Sequence, residues 1–295
     1  MQTKQTSLVR FAWLSIAAAI ATIALKTTAY LLTGSVGLLS DAIESVVNLI
    51  GAVTALLMLA WAARDADEKH PSGHGKAEYF SSGLEGGLII IAAAAIAYTA
   101  VNRLLHPQPL EQIGVGLGVS VIASIINFVV ARILFRAAKQ HNSIALEADS
   151  RHLMADVWTS VGILAGVGAV GLTGWVWLDS VVALAVSVHI VWAGSALVRR
   201  SIDGLMDAGL PKEDLEKIEQ VMDRYRAHNI LFHALRTRRA ASQRFISVHM
   251  LVPGEMTVHD AHHMAADFER DLHMLLDRAT ITTRIEPRED KSAFH

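Results

Sequence analysis

Two stretches of this chain carry metal-ligand chemistry at helical spacing: Asp41-Ala-Ile-Glu44-Ser-Val-Val-Asn48 and Asp149-Ser-Arg-His152-Leu-Met-Ala-Asp156. In each, an acid is followed three positions later by a ligand-type residue, and a third stands four positions beyond. Offsets of three and four stack side chains on one helix face. Each stretch leads into a long apolar run, Leu49–Trp61 in the first case and Val157–Val176 in the second. Ionisable groups entering hydrocarbon are costly, so the default reading is a functional one with a partner. Two such stripes face to face would hold a divalent metal ion midway through a membrane, through Glu44, Asn48, His152 and Asp156. Mixed imidazole and carboxylate ligation suits zinc, and the oxygen-rich set also admits manganese or iron. The plainer alternative is snorkelling or interhelical polar contact near span ends. A matched pair of stripes weighs against it. Asp41 and Asp149, one turn earlier, fit either an ion-guiding role or a helix cap.

Two further clusters have ligand chemistry. Asp67, His70 and His74 lie within Asp67-Glu-Lys-His70-Pro-Ser-Gly-His74-Gly-Lys76-Ala-Glu78, and converge if Gly73 and Gly75 turn the backbone. A solvated polar loop reads equally well. His233 and His249 fall on separate predicted strands and would be neighbours across a sheet. With His262 and His263 they also fit ordinary surface histidines. His189 and Lys26 are single polar residues, for which a structural role is the simpler reading.

The elements that must carry these residues follow from composition. Of 295 residues, 52% are hydrophobic and 18% charged, and mean hydropathy is +0.37. A soluble domain carries about 25% charged residues. The apolar excess lies before residue 200 or so and the charge after it, which implies a membrane part and a smaller soluble part. A formal net charge of −2 gives no basic signal, so no nucleic-acid partner is indicated. Cysteine is absent, which removes disulfides and thiolate sites and leaves His, Asp, Glu and Asn as the strong ligands.

A membrane helix needs about 20 mostly apolar residues. Six stretches qualify: 11–32, 36–62, 80–105, 113–135, 152–172 and 175–198. The first runs too long for a signal-peptide core of about 7–15 residues and is expected to be a retained span. Lys4, Arg10, Arg64, Lys69, Lys76, Arg136, Lys139, Arg151, Arg199 and Arg200 all fall on one side of this arrangement, and Arg103 alone near the other. Both termini are therefore expected in the cytoplasm. Trp61, Tyr79, Trp175 and Trp177 sit where interfacial aromatics belong. Beyond Arg200 the pattern changes to helix (214–225), strand (231–238), strand (244–252), helix and strand (279–286). Ile246, Val248, Met250 and Val252 share one strand face. Val258, Ala261, Ala265, Phe268, Leu272 and Leu275 form one helix stripe. This α-β-β-α-β order predicts a small α+β domain. The expected division is a six-helix all-α transmembrane domain over 1–206, a cytoplasmic α+β domain over 207–290 and a tail over 291–295.

Taken together these motifs resemble the cation diffusion facilitator family of metal efflux transporters, most of all its bacterial ferrous-iron and zinc branch. The resemblance rests on Gly34-Ser-Val-Gly-Leu-Leu-Ser-Asp41, Glu44-xxx-Asn48, the His70-Pro-Ser-Gly-His-Gly-Lys-Ala-Glu78 run, His152-xxx-Asp156 and Leu235-Arg-Thr-Arg238. It implies a six-span homodimer in the bacterial inner membrane with a metallochaperone-like cytoplasmic domain, exchanging a divalent metal for protons. It also implies a transport site at Glu44, Asn48, His152 and Asp156, and a loop site at Asp67, His70 and His74. Lys76 and Asp207 match a charge pair that fastens the protomers, and His233, His249 and His262 match cytoplasmic ligands. The chain departs from the family pattern in four places. Glu44 and Asn48 replace the usual Asp or His followed by Asp, which removes one negative charge and tilts preference toward manganese or iron. Arg284 and Glu286 stand where the pattern has His and Asp. A cation at a ligand position repels metal, so one tail ion is expected rather than two.

The expected function is a zinc exporter, with Fe2+ and Mn2+ as further candidate ions and protons as counter-ion, not an enzyme. An intramembrane metalloenzyme would need an open metal position and a general base, and no HExxH motif occurs. A membrane metal sensor without transport is the main rival, and flux separates the two.

Overall fold

The structure, a computed structural model, describes residues 2–33, 36–106, 114–175 and 177–289. The side chains of Asp41 and Glu44, the 107–113 connection and the 291–295 tail lie outside the described residues. The chain divides into two compact units, Met1–Ile202 and Asp203–His295.

The first unit is built from long helices: α1 (Gln2–Thr33), α2 (Val36–Ala62), α3 (Ala77–Leu105), α4 (Gly114–His141), α5 (Ile144–Thr173) and α6 (Trp177–Leu205). Among the described residues, four stretches, Leu8–Leu32, Ala77–Leu105, Gly118–His141 and Ser180–Leu205, are long and apolar enough to cross a membrane. α2 adds the apolar stretch Asn48–Ala62, and the first half of α5 carries Glu147, Asp149, Arg151 and Asp156. α1 packs on α2 and α4, and α5 on α4 and α3. Leu59, Val130, Leu134, Leu146 and Leu153 fill the centre between α2, α4 and α5. Ile20, Leu31, Ile91, Tyr98, Ile125 and Trp192 point outward and are exposed. An apolar rim around helices whose backbone bonds are internally satisfied is what hydrocarbon demands.

Two local devices set helix positions. A Cβ at Gly86 of α3 would meet Val198 Cγ2 at 2.8 Å and Gly194 O at 3.2 Å. A Cβ at Gly194 of α6 would meet Ile90 Cγ1 at 2.9 Å and Gly86 O at 3.1 Å. The two glycines therefore let α3 and α6 touch backbone to backbone, the small-residue contact of membrane helices. At the start of α5, Ser143 donates to Glu78 Oε2 at 2.5 Å and the Ala145 N–H points at the same oxygen at 3.4 Å. A buried carboxylate from α3 thereby satisfies orphan donors at the α5 N-terminus, where negative charge is favoured.

The second unit runs α7 (Lys212–Arg226), β1 (Leu231–Ala240), β2 (Gln243–Val252), α8 (Val258–Leu275) and β3 (Ala279–Pro287). The sheet order is β1-β2-β3, with β1 antiparallel and β3 parallel to β2. Parallel neighbours need a crossover, which α8 supplies. Ile246, Val248, Met250 and Val252 are all buried, against Ile218 and Val221 of α7 and Phe268 and Leu272 of α8. Thr257 caps α8 by accepting from the Asp260 N–H, as an N-cap threonine should. The helix stripe is shorter than its spacing predicts. Val258 is 86% exposed and Leu275 is also exposed, while Leu276, just past the helix, is buried instead. Val258 and Leu275 are the first and last residues of α8, so the exposed positions are the helix ends.

Candidate metal centres

Inside the helix bundle, Asn48 of α2 bridges two residues of α5. Its amide oxygen accepts a hydrogen bond from His152 Nε2–H at 2.5 Å, and its Nδ2–H donates to Asp156 Oδ2. The acceptor on one side is an amide oxygen and on the other a carboxylate, so the amide orientation and the Nε2–H tautomer fix each other. Asn48 and His152 are buried, and His152 Nδ1 has no hydrogen-bond partner. A residue that spacing did not indicate joins them. Asn127 of α4, also buried, donates from Nδ2 to the same Asp156 oxygen at 3.1 Å and leaves its own Oδ1 unsatisfied. The signal for it was present as a lone amide inside the apolar run Ile125-Ile-Asn127-Phe-Val-Val130. Three of the four residues of the predicted intramembrane site therefore meet. The fourth, Glu44, is a residue of α2 whose side chain is outside the description.

The loop after α2 forms a second cluster. Asp67 Oδ1 lies 3.2 Å from His70 Nδ1 and Oδ2 lies 3.4 Å from His74 Nε2. Ligand atoms of all three residues lie within 4.8 Å of one another. The turn that gathers them needs Gly73, at φ +81, a value side-chain-bearing residues rarely adopt. Its N–H donates to His70 O at 2.9 Å. His74 is buried with Nδ1 unpartnered, its ring near Trp61. The His70 backbone N–H holds the Asp67 carboxyl below its ordinary value, with smaller help from both imidazoles. Asp67 thus stays ionised and acceptor-only.

The third cluster spans the sheet of the tail unit. His233 and His249 are directly paired across β1 and β2, and their rings are 4.9 Å apart and nearly perpendicular. A bulge follows immediately in β1, at Ala234 with φ +51. Bulges re-aim side chains at such places. The third member is Glu286 of β3, not His262. Glu286 accepts from His233 Nε2 at 2.9 Å. His249 Nδ1 lies 3.2 Å from its other oxygen, out of line for a hydrogen bond. His262 is exposed on α8 with its ring near His263, because its place in the helix period is beside, not on, the buried stripe. Arg284 Nε sits 3.0 Å from Glu286 Oε1, so the cation at the departing position already occupies part of this carboxylate. Burial works against the Glu286 charge, but His233, His249 and Arg284 outweigh it and hold the carboxyl below its ordinary value.

Of the predicted charge pair, Lys76 directly precedes α3. Asp207, at φ +59, lies 3.4 Å from Arg238 Nη1 within the tail unit.

A helical membrane unit gathers His, Asp and two Asn side chains, and the α+β unit holds a His-Glu cluster of its own. Residues 12–206 match the cation efflux transmembrane domain, and residues 210–288 match the cytoplasmic domain of cation efflux proteins. The chain belongs to the cation diffusion facilitator family. It is 49% identical over 284 residues to the uncharacterized transporter sll1263 of Synechocystis sp., covering 96% of this chain and 92% of that one. It is 29% identical over 254 residues to the cation-efflux pump FieF of Salmonella arizonae, covering 86% and 84%. Among solved structures, the Zn form of the transporter CzrB is 33% identical over 29% of this chain and 98% of its own, with a TM-score of 0.27.

Proposed function

We propose that this protein exports a divalent metal ion from the bacterial cytoplasm in exchange for protons, through the site formed by Glu44, Asn48, His152 and Asp156. The observation that carries the reading is the bridge His152–Asn48–Asp156 inside the bundle. It joins an imidazole nitrogen, an amide and a carboxylate from two helices. Metal binding requires His152 neutral with Nε2 free and Asp156 ionised, whereas protons favour the imidazolium and the neutral acid. Proton and metal therefore exclude each other at His152, and exclusion at one alternately exposed site couples the two fluxes. Zinc suits the imidazole and carboxylate pair. The neutral oxygens of Asn48 and Asn127 favour Mn2+ or Fe2+ as further cargo.

The working unit is a homodimer of six-span protomers with both termini in the cytoplasm. Basic residues gathered on one side of the spans support that orientation. Lys76 and Asp207 serve as the fastening pair. Asp67, His70 and His74 bind metal in the loop, and His233, His249 and Glu286 bind one ion in the tail domain, taken as 207–290.

In proteoliposomes loaded with a pH-sensitive dye, an imposed zinc gradient drives proton movement through the wild type. His152→Ala and Asp156→Ala each abolish it. Undiminished proton movement in both variants rejects this site.

A further inference from the structure

One buried acid pair has no part in the function proposed above. Glu85 of α3 is fully buried, and neither of its carboxylate oxygens has a hydrogen-bond partner. Asp149 of α5 is buried too. Its Oδ1 accepts from Ser15 Oγ–H of α1 at 2.8 Å, and its Oδ2 has no partner. Both acids lie one turn from the bridge: Glu85 Cγ is 3.6 Å from the Cβ position of Gly51, three residues from Asn48, and Asp149 is three residues from His152. Ala148 and Ile89 pack in one buried cluster, which locks α3 against α5 at this level. On the α2 side, a Cβ on Gly51 would meet Glu85 Cγ at 3.6 Å, so the α2 backbone lies against Glu85.

The pair has a definite place relative to the bridge. Asp149 precedes His152 by three residues and Gly51 follows Asn48 by three. Both steps run toward the end of the bundle from which the Asp67–His74 loop emerges, since α2 ends and α3 begins there. Glu85 is eight residues into α3, roughly 12 Å at 1.5 Å per residue. A cation passing from the loop end to the bridge meets this level first.

Burying even one ionised carboxylate without a partner is expensive, and two adjacent ones repel as well. A hard divalent cation removes both costs, because carboxylate oxygens are its natural ligands. We propose that Glu85 and Asp149 form a second cation site within the bundle, one helical turn on the loop side of the His152–Asn48–Asp156 bridge, where a divalent metal ion is held in transit. Gly51 lets α2 lie against Glu85, and Ser15 orients Asp149. This inference rests on the reading of the bundle as the cation's route.

The test counts bound Mn2+ per chain by electron paramagnetic resonance on the full-length protein in nanodiscs. Glu85→Gln/Asp149→Asn should lose one Mn2+ per chain relative to wild type, and Glu85→Gln alone should weaken that ion at least tenfold. Glu85→Asp, which keeps the charge on a shorter arm, should retain it. Should the double variant not fold, the two single Glu85 variants decide, and equal binding by both overturns the proposal. Unchanged Mn2+ counts in Glu85→Gln/Asp149→Asn overturn it as well, including the case where only proton coupling is altered, which would make the pair a proton carrier. His152→Ala/Asp156→Asn separates the two readings. If it leaves the count unchanged while the Glu85 variant loses an ion, the bridge fails as a site and this one stands.

Discussion

Asp156 receives two amide donors, one from Asn48 and one from Asn127, and that makes Asn127 a positioning residue for the bridge. Hydrogen bonds to charged groups are worth about 1.5–3 kcal/mol, so Asn127→Ala should raise the zinc concentration for half-maximal transport by about tenfold or more while leaving the maximal rate within a few-fold. An unchanged half-maximal concentration would remove Asn127 from the account. The bridge residues were legible in the sequence because two stripes share the same spacing. Asn127 was not, because a single amide in an apolar run has no periodic partner to mark it. The tail cluster shows the same limit from another side. His233 and His249 were readable as cross-strand neighbours, but the choice of Glu286 over His262 depends on β3 lying parallel beside β2, which strand spacing alone does not encode. Glu286 also gives a pH signature. Its carboxyl is held below its ordinary value near 4.5, so its stabilising contribution is fully present above that pH and is lost as pH falls through the lowered value. Hydrogen exchange in β1 and β3 should be slower in wild type than in Glu286→Gln at neutral pH, with the difference vanishing once pH falls through the lowered value. A difference that persists through acid would show that the charge is not what matters.

Among the elements, α3 carries the most local information. Its Gly86 meets Gly194 of α6, its Glu78 holds the start of α5, and its Glu85 reaches toward α2. Overpacking a tight contact costs about 1–3 kcal/mol, and here the clashing atoms include backbone. Gly86→Ala and Gly194→Ala should therefore each lower the thermal midpoint of the detergent-solubilised protein by several degrees, whereas Gly87→Ala, with open space at its Cβ, should not. Equal midpoints for all three variants would contradict the close crossing. Strand alternation in β2 was readable directly, since its inward residues recur every second position. The limits of α8's buried stripe were not, because spacing marks a face but not where the helix ends, and Val258 and Leu275 stand at its ends.

For the whole molecule, the division of labour follows from composition. The apolar first two-thirds of the chain, with few charges, builds the helical unit, and the charged remainder builds the α+β unit. In the transport proposed above, the helical unit buries the polar residues of α2 and α5, and proton and metal compete there for the same atoms. The most direct test of that competition is the number of protons released when zinc binds to the solubilised protein at fixed pH, read calorimetrically in buffers of different ionisation enthalpy. The account predicts that, at a pH where His152 is imidazolium, His152→Ala releases about one proton fewer per chain than wild type, as expected when metal binding requires the neutral ring. Equal proton release by the two proteins, with zinc still bound in the bundle, would contradict it.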